Sequence, residues 1–367
     1  MDVVVVGAGI VGLSAARFIA ERGIDVDVYD SKKSVEEGAP KASGIISVRG
    51  LKSTGIEYSE AVVNPLSGAR LHAAGSTLTV KSSKVEAYVV DRGLLVKSAE
   101  RMARKVGVKI HLGERLGRER ISEIQDSGNT ILIGADGAVS NVASVLGFPK
   151  ISERVLTYKA EAETTEAIDD DLVDIFFSKK VSNGLFGWIV PYSANHIEIG
   201  IGVGEKQRMT SRKAFDMLID SGAIKGIDRS RIHDGYASMI PLKQRSRTVI
   251  GNTALVGDAA GQVKATTGGG IVFGVGCARI LAEYVSRAAR NEGRLAEYET
   301  AWRKIYGADL KMHSIIHRYY SSVGDPYLGA TFSMMRHLGF ERFFSRHGDM
   351  DRPMRMLRSF LTFGLID

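Results

Sequence analysis

The chain has 367 residues, of which 44% are hydrophobic and 25% charged, enough for a buried core and about two domains. Its single cysteine, Cys277, excludes an internal disulfide framework and the four thiolates of an iron–sulfur cluster, and it points to a reducing, cytoplasmic setting. A net charge of +7 admits anionic partners such as phosphates or a lipid surface, but a basic solvated face gives the same sum, and nothing in it calls for nucleic acid.

The opening run, MDVVVVGAGIVGLSAARFIA, has no basic leader and is interrupted by glycines, so it reads as folded structure rather than a signal peptide. Val3 to Val6 is β-branched throughout, as in a strand buried on both faces. It enters Gly7-Ala8-Gly9-Ile10-Val11-Gly12, followed by a helix that ends near Gly23 and a second strand ending at Asp30. In such a unit Gly7 permits the tight turn, Gly9 lets a pyrophosphate approach the backbone, and Gly12 lets helix and strand pack closely. Asp30 stands where an acid accepts hydrogen bonds from a ribose. The spacing predicts a dinucleotide site.

A loop carrying Ala42-Ser43-Gly44 comes next. Val89-Val90-Asp91-Arg92-Gly93 then precedes a helical stretch, LLVKSAERMARKVG, and a short strand, VKIHL. Ile133-Gly134-Ala135-Asp136-Gly137-Ala138-Val139-Ser140 follows, and after it the strand-like runs KAEAETT and HIEIGIGV predict a mixed sheet. The strand TALVG leads into GDAAGQVKATTGGGI, residues 257 to 271, and from there into a helix, IVFGVGCARILAEYV. Residues 291–367 read mostly helical. From Met334 to Leu365 apolar residues alternate with Arg336, Arg342, Arg346, Arg352, Arg355 and Arg358, a surface able either to pack on a second domain or to lie on anionic lipid head groups. No apolar run is long enough to cross a bilayer, so any membrane contact is expected to be peripheral. The histidines between His313 and His347 follow no metal-binding spacing, and no metal is expected.

Taken in order, the GxGxxG turn, the Asp91-Arg92 pair before a helix, the GADG-x-x-S segment and the late Gly257-Asp258 motif resemble the FAD-dependent family that includes the aromatic hydroxylases, of the p-hydroxybenzoate hydroxylase type, and the geranylgeranyl reductases. The resemblance implies a Rossmann-like α/β FAD-binding domain with an inserted mixed β-sheet substrate domain and a helical C-terminal region. It implies that FAD is held without a covalent link by Gly7, Gly9, Gly12, Asp30, Arg92, Asp136, Gly137, Gly257 and Asp258. The amides of Gly268, Gly269, Gly270 and Ile271 would face the flavin pyrimidine ring, where a helix N-terminus stabilises the negative charge of the reduced state.

Within the family, Lys264 to Ile271 looks most like the archaeal-type reductases, with Ala265 in place of their proline. Phe186-Gly187-Trp188-Ile189-Val190-Pro191 is similar to their Tyr-x-Trp-x-Phe-Pro segment, so Phe186, Trp188, Val190 and Pro191 are expected to line an apolar lipid cavity with few groups to orient a polar molecule. Where related reductases carry Cys-Gly near the flavin, this chain has Ser43-Gly44; Ser43, Gly44 and Tyr192 are the catalytic candidates. The implied reaction is hydrogenation of double bonds in a long isoprenoid chain, a geranylgeranyl ether lipid. The alternatives are a flavin monooxygenase acting on an apolar or aromatic substrate, or a flavoprotein electron carrier. No second GxGxxG follows a strand, so NAD(P)H, ferredoxin or a deazaflavin could each be the external electron donor. The order of motifs places the FAD domain at residues 1–48, 81–150 and 250–290, the substrate domain at 49–80 and 151–249, and the helical region at 291–367.

Overall fold

The computed structural model describes residues 2–37, 44–224, 226–233 and 235–363; Ser43 and Leu365 lie outside them. Strand Asp2–Val6 sits inside a six-stranded sheet in the order Val249–Ile250, Thr253–Leu255, Thr130–Gly134, Asp2–Val6, Val26–Asp30, Lys109–Leu112. All neighbours run parallel except the outermost Val249–Ile250 strand. Val3 and Val5 enter the core made with helices Ile10–Ala20, Arg92–Lys105 and Ile271–Ala289, whereas Val4 and Val6 pack with the smaller core that includes Ile121 and Val142. This two-sided burial is why the run is apolar at every position.

The second sheet has eight strands, in the order Ile227–Ile232, Arg154–Thr164, His196–Gly204, Gly184–Pro191, Leu172–Phe177, Gly68–Ala73, Ser76–Lys81, with Tyr236–Pro241 also paired to Arg154–Thr164. Leu172–Phe177 and Gly68–Ala73 are parallel and the other pairs antiparallel, the mixed sheet expected. On one face Ile189, Ile197, Ile199 and Ile201 pack with Ala214, Phe215 and Leu218 of helix Ser211–Asp220. Strand register sets Trp188 beside Gly200, Gly200 beside Lys159 and Lys159 beside Tyr236 on the opposite face. That face is turned toward the glycine-rich loop, because a Cβ on Gly268 would lie 2.8 Å from Ile240 Cδ1.

The division between the two layers differs in places from the expected boundaries. Leu51, Ile56 and Ala61 belong to the first core, so the first segment of that domain runs past residue 48. Helix Glu297–Ser322 does not form a separate region: Tyr298, Trp302 and Leu310 are buried in the first core, while Tyr320 joins the core of the second sheet. Helices Asp325–His337 and Phe340–His347 set Leu328, Phe332, Met335 and Phe344 against that same core. Thr79 N donates to Glu341 Oε1 at 2.7 Å and Lys81 N to Ser345 Oγ at 3.2 Å, which satisfies the open edge of strand Ser76–Lys81. Packing on the second layer is therefore what the described apolar residues Leu328, Phe332, Met335 and Phe344 do, while Met334 and Leu338 stay exposed. Among the described residues no helix is long and apolar enough to cross a membrane.

Candidate active site

The first turn is built as its spacing demands. Gly7 has φ +109°, and a Cβ there would lie 2.4 Å from the Ala135 carbonyl oxygen; a Cβ on Gly12 would lie 2.0 Å from that of Gly7. Gly9 faces open space, which leaves its backbone accessible. Asp30 stiffens the turn by accepting from Ala8 N at 2.8 Å and from Lys32 N at 3.0 Å. Asp136 accepts locally with both carboxylate oxygens, from Ser140 Oγ at 2.6 Å and Val142 N at 3.0 Å, and so shapes its loop. The left-handed Gly137 beside it (φ +81°) opens onto empty space. Gly44, also left-handed, donates its backbone to the fold: Val90 N bonds its carbonyl at 3.0 Å, and a Cβ would collide with Val90 O.

Arg92 and Asp258 form the charged centre of the recess. Asp91 caps the helix that Arg92 begins by accepting from Leu94 N at 2.9 Å. Arg92 Nε is buried and has no hydrogen-bond partner among the described residues, and burial lowers the guanidinium pKa against the pull of Asp258. Burial likewise raises the Asp258 carboxyl, which the Arg92 charge opposes. Asp258 is thus half-buried at its strand end. A Cβ on Gly270 would stand 2.5 Å from Asp258 Oδ1, which puts the carboxylate against the start of helix Ile271–Ala289. Among the described residues no side chain caps that helix, so its first-turn amides are left for a ligand.

The glycine-rich loop is tied down from behind. Gln262 Oε1 accepts from Gly257 N at 2.8 Å, and Gln262 Nε2 donates to Tyr298 OH at 3.0 Å. Lys264 Nζ pairs with Asp351 Oδ1 at 2.6 Å, both side chains buried, and its Cε lies where a Cβ on Gly269 would clash. The Ser47 hydroxyl also donates to the Asp351 carboxylate. His313 Nε2 lies 3.3 Å from the Asp351 carbonyl, which can only accept; Nδ1 is then the acceptor for the Thr266 hydroxyl at 2.7 Å. Burial and nearby Lys264 push this histidine down to about 4, so it stays neutral. Spacing carries no sign of the Lys264–Asp351 pair, whose partners are 87 residues apart.

The facing sheet corrects the expectation of an apolar wall. Phe186 packs edge-on against Trp188 at 6.1 Å, Val190 is fully buried, and the Pro191 carbonyl accepts from Asn64 Nδ2 at 3.0 Å. Trp188, however, donates its Nε1–H to Glu198 Oε1 at 2.9 Å, and Glu198 Oε2 accepts from Lys159 Nζ at 3.0 Å and from Tyr192 OH at 3.3 Å. The ammonium lies 5.2 Å from the Tyr236 ring centroid. Lys159 and Glu198 are 2% and 1% exposed, so this is an internal ion pair and not a solvated one. Burial, with Arg92 opposing the cation, lowers Lys159 to about 8 in spite of Glu198. Burial and the Glu198 charge raise Tyr192 well above its usual range. Lys159 and Glu198 escape a sequence reading because charged residues at alternate strand positions look like a wet face.

The layered sheet and the glycine-lined recess define a flavin dinucleotide-binding oxidoreductase. FAD fits the recess on the chain's own features: an unpartnered buried Arg92 Nε, glycines where a Cβ would collide, and an uncapped helix start. A family model described as an FAD binding domain matches residues 1–308, and the chain belongs to that family, an FAD-dependent oxidoreductase with FAD as its cofactor. The chain is 29% identical to the digeranylgeranylglycerophospholipid reductase of Methanocaldococcus jannaschii, over 90% of this chain and 89% of that one. An uncharacterized protein of the same organism is 27% identical over 96% and 92%. The solved structure of a geranylgeranyl bacteriochlorophyll reductase-like protein from Thermoplasma acidophilum shares the fold, with a TM-score of 0.80 at 17% identity, over 97% of this chain and 94% of that one.

Proposed function

We propose that this chain hydrogenates carbon–carbon double bonds of a long isoprenoid, a geranylgeranyl chain of an ether phospholipid, with FAD held non-covalently. The observation that carries this reading is the approach of strand Gly184–Pro191 to the glycine-rich loop: Phe186, Trp188 and Val190 share one buried cluster with Ala265. The digeranylgeranylglycerophospholipid reductase named above, similar along nearly the whole chain, supports it.

Gly7, Gly9, Gly12 and Asp30 would hold the adenosine and pyrophosphate end of the dinucleotide. Arg92, Gly137, Gly257 and Asp258 would hold the pyrophosphate and ribityl part, with Asp136 acting only through the loop it shapes. The amides of Gly268, Gly269, Gly270 and Ile271 would oppose the pyrimidine ring. Bound and reduced, FAD supplies a hydride. Phe186, Trp188, Val190 and Pro191 form the wall along which the lipid lies and from which water is excluded. Binding by apolar burial gives roughly 0.8 kcal/mol per methylene, so affinity should climb with chain length. An external donor, a nicotinamide, ferredoxin or deazaflavin, must restore the reduced cofactor. A peripheral, salt-sensitive lipid contact would use the exposed Met334 and Leu338, with Arg336 between them.

The test is anaerobic incubation of dithionite-reduced protein with a geranylgeranyl phospholipid, followed by mass spectrometry, where each reduced double bond adds two hydrogens. No mass gain with any prenyl lipid, together with oxygen uptake stimulated by a small aromatic compound, would move the reading to a monooxygenase. An electron carrier would show neither.

A further inference from the structure

An unactivated alkene accepts hydride poorly unless a proton arrives on the neighbouring carbon, so the wall facing the flavin must hold an acid. Tyr192 is a poor acid for that role: burial together with Glu198, Glu161 and Tyr236 holds the proton on its oxygen. Gly44 has no side chain to offer.

Lys159 carries a proton on the same sheet face as Trp188. It belongs to the sheet face that carries Trp188, Gly200 and Tyr236 in one row. Gly200 has no side chain, and the Trp188 indole covers it so closely that a Cβ would fall 2.2 Å from the ring; the indole thereby reaches Glu198, the partner of Lys159. The charge of Arg92 acts both on Lys159 and on Asp258 at the glycine-rich loop. Lys159 thus shares the sheet face on which Ile240 approaches Gly268 of the glycine-rich loop. The charged and titratable groups around it are Glu198 from strand His196–Gly204, Glu161 from its own strand, Tyr236 from strand Tyr236–Pro241, Tyr192 and Arg92.

We propose that Lys159 is the proton donor of the hydrogenation, giving its ammonium proton to one alkene carbon as hydride reaches the other. The proposal rests on the reading of the protein as an isoprenoid reductase. One hydride from the reduced cofactor and one proton from Lys159 account for the two hydrogens gained; the two electrons leave the cofactor, and the neutral amine recovers its proton from solvent. Trp188 Nε1–H and the Tyr192 hydroxyl continue to donate to Glu198 when the ammonium is gone. The lowered basicity of Lys159 makes it a readier donor than an ordinary lysine.

The deciding experiment is single-turnover oxidation of the reduced holoprotein by geranylgeranyl phospholipid across a pH series, followed by flavin absorbance and product mass. The wild type should slow as pH rises through about 8. Lys159→Met should be on the order of a hundredfold slower and lose that pH dependence. Lys159→Ala should regain rate with added small primary amines, which a purely structural lysine would not show. Independently of turnover, the absorption spectrum of the oxidised bound flavin should shift with the same midpoint in the wild type and not in Lys159→Met. A wild type that reduces the lipid, beside a Lys159→Met variant of equal rate and pH profile, overturns the proton-donor assignment alone. A wild type that reduces no prenyl lipid overturns the underlying reading as well.

Discussion

Replacing the internal ion pair with an apolar pair, Lys159→Met with Glu198→Leu, should change how stability depends on pH in a direction the geometry dictates. Lys159 falls from 10.5 to about 8 on folding, with burial as the main cause. Between those values the unfolded chain binds the proton and the folded chain does not, so stability rises with pH across that window and is lost again as pH falls through about 8. At about 1.4 kcal/mol per pH unit, the whole window is worth on the order of 3 kcal/mol, most of it gained by about pH 10. Lys159 is buried, so solvent screening discounts little of it. The double variant lacks this term and should also be no less stable than the wild type at neutral pH, since well-packed apolar replacements of buried pairs are neutral or stabilising. Glu198→Leu alone should cost about 3–5 kcal/mol, because it strands a buried cation. The assay is chemical denaturation of the FAD-saturated proteins, read by circular dichroism at a series of pH values. Parallel pH profiles for wild type and double variant would refute the assignment of Lys159 as a desolvated cation.

Three other outcomes follow from the recess. Asp258→Ala should weaken FAD retention while the fold persists, as measured by flavin fluorescence on dilution; unchanged affinity would remove Asp258 from the cofactor site. Gly270→Ala should also weaken retention, because its new Cβ would stand 2.5 Å from Asp258 Oδ1 and displace the carboxylate. Asp351→Ala should release the glycine-rich loop and leave Lys264 as an unpaired buried charge, lowering stability by about 3–5 kcal/mol and speeding FAD loss; denaturant midpoints and flavin release rates that match the wild type would show that the C-terminal segment does not brace the site.

What the sequence determined by itself is the part governed by short spacing. Gly7, Gly9, Gly12 and Asp30 lie within one strand-turn-helix-strand unit, and Gly257 to Ile271 forms one strand-loop-helix unit, so local geometry alone obliges those residue types. The mixed sheet was legible for the same reason, from alternation along single strands. Tertiary structure decided what those units face. Whether Lys159 and Glu198 are wet or buried depends on the register that sets Lys159 beside Gly200 and on the layer that covers that face, neither of which is written in the alternation KAEAETT or HIEIGIGV. The motif marks Asp136 for the cofactor site, and only the fold shows its carboxylate bonded to Ser140 and Val142. Lys264 and Asp351 meet only because helix Glu297–Ser322 spans both cores and the chain beyond it returns to the glycine-rich loop. Pairing of charges across such distances follows from packing and loop closure, whose consequences no local pattern of residues contains.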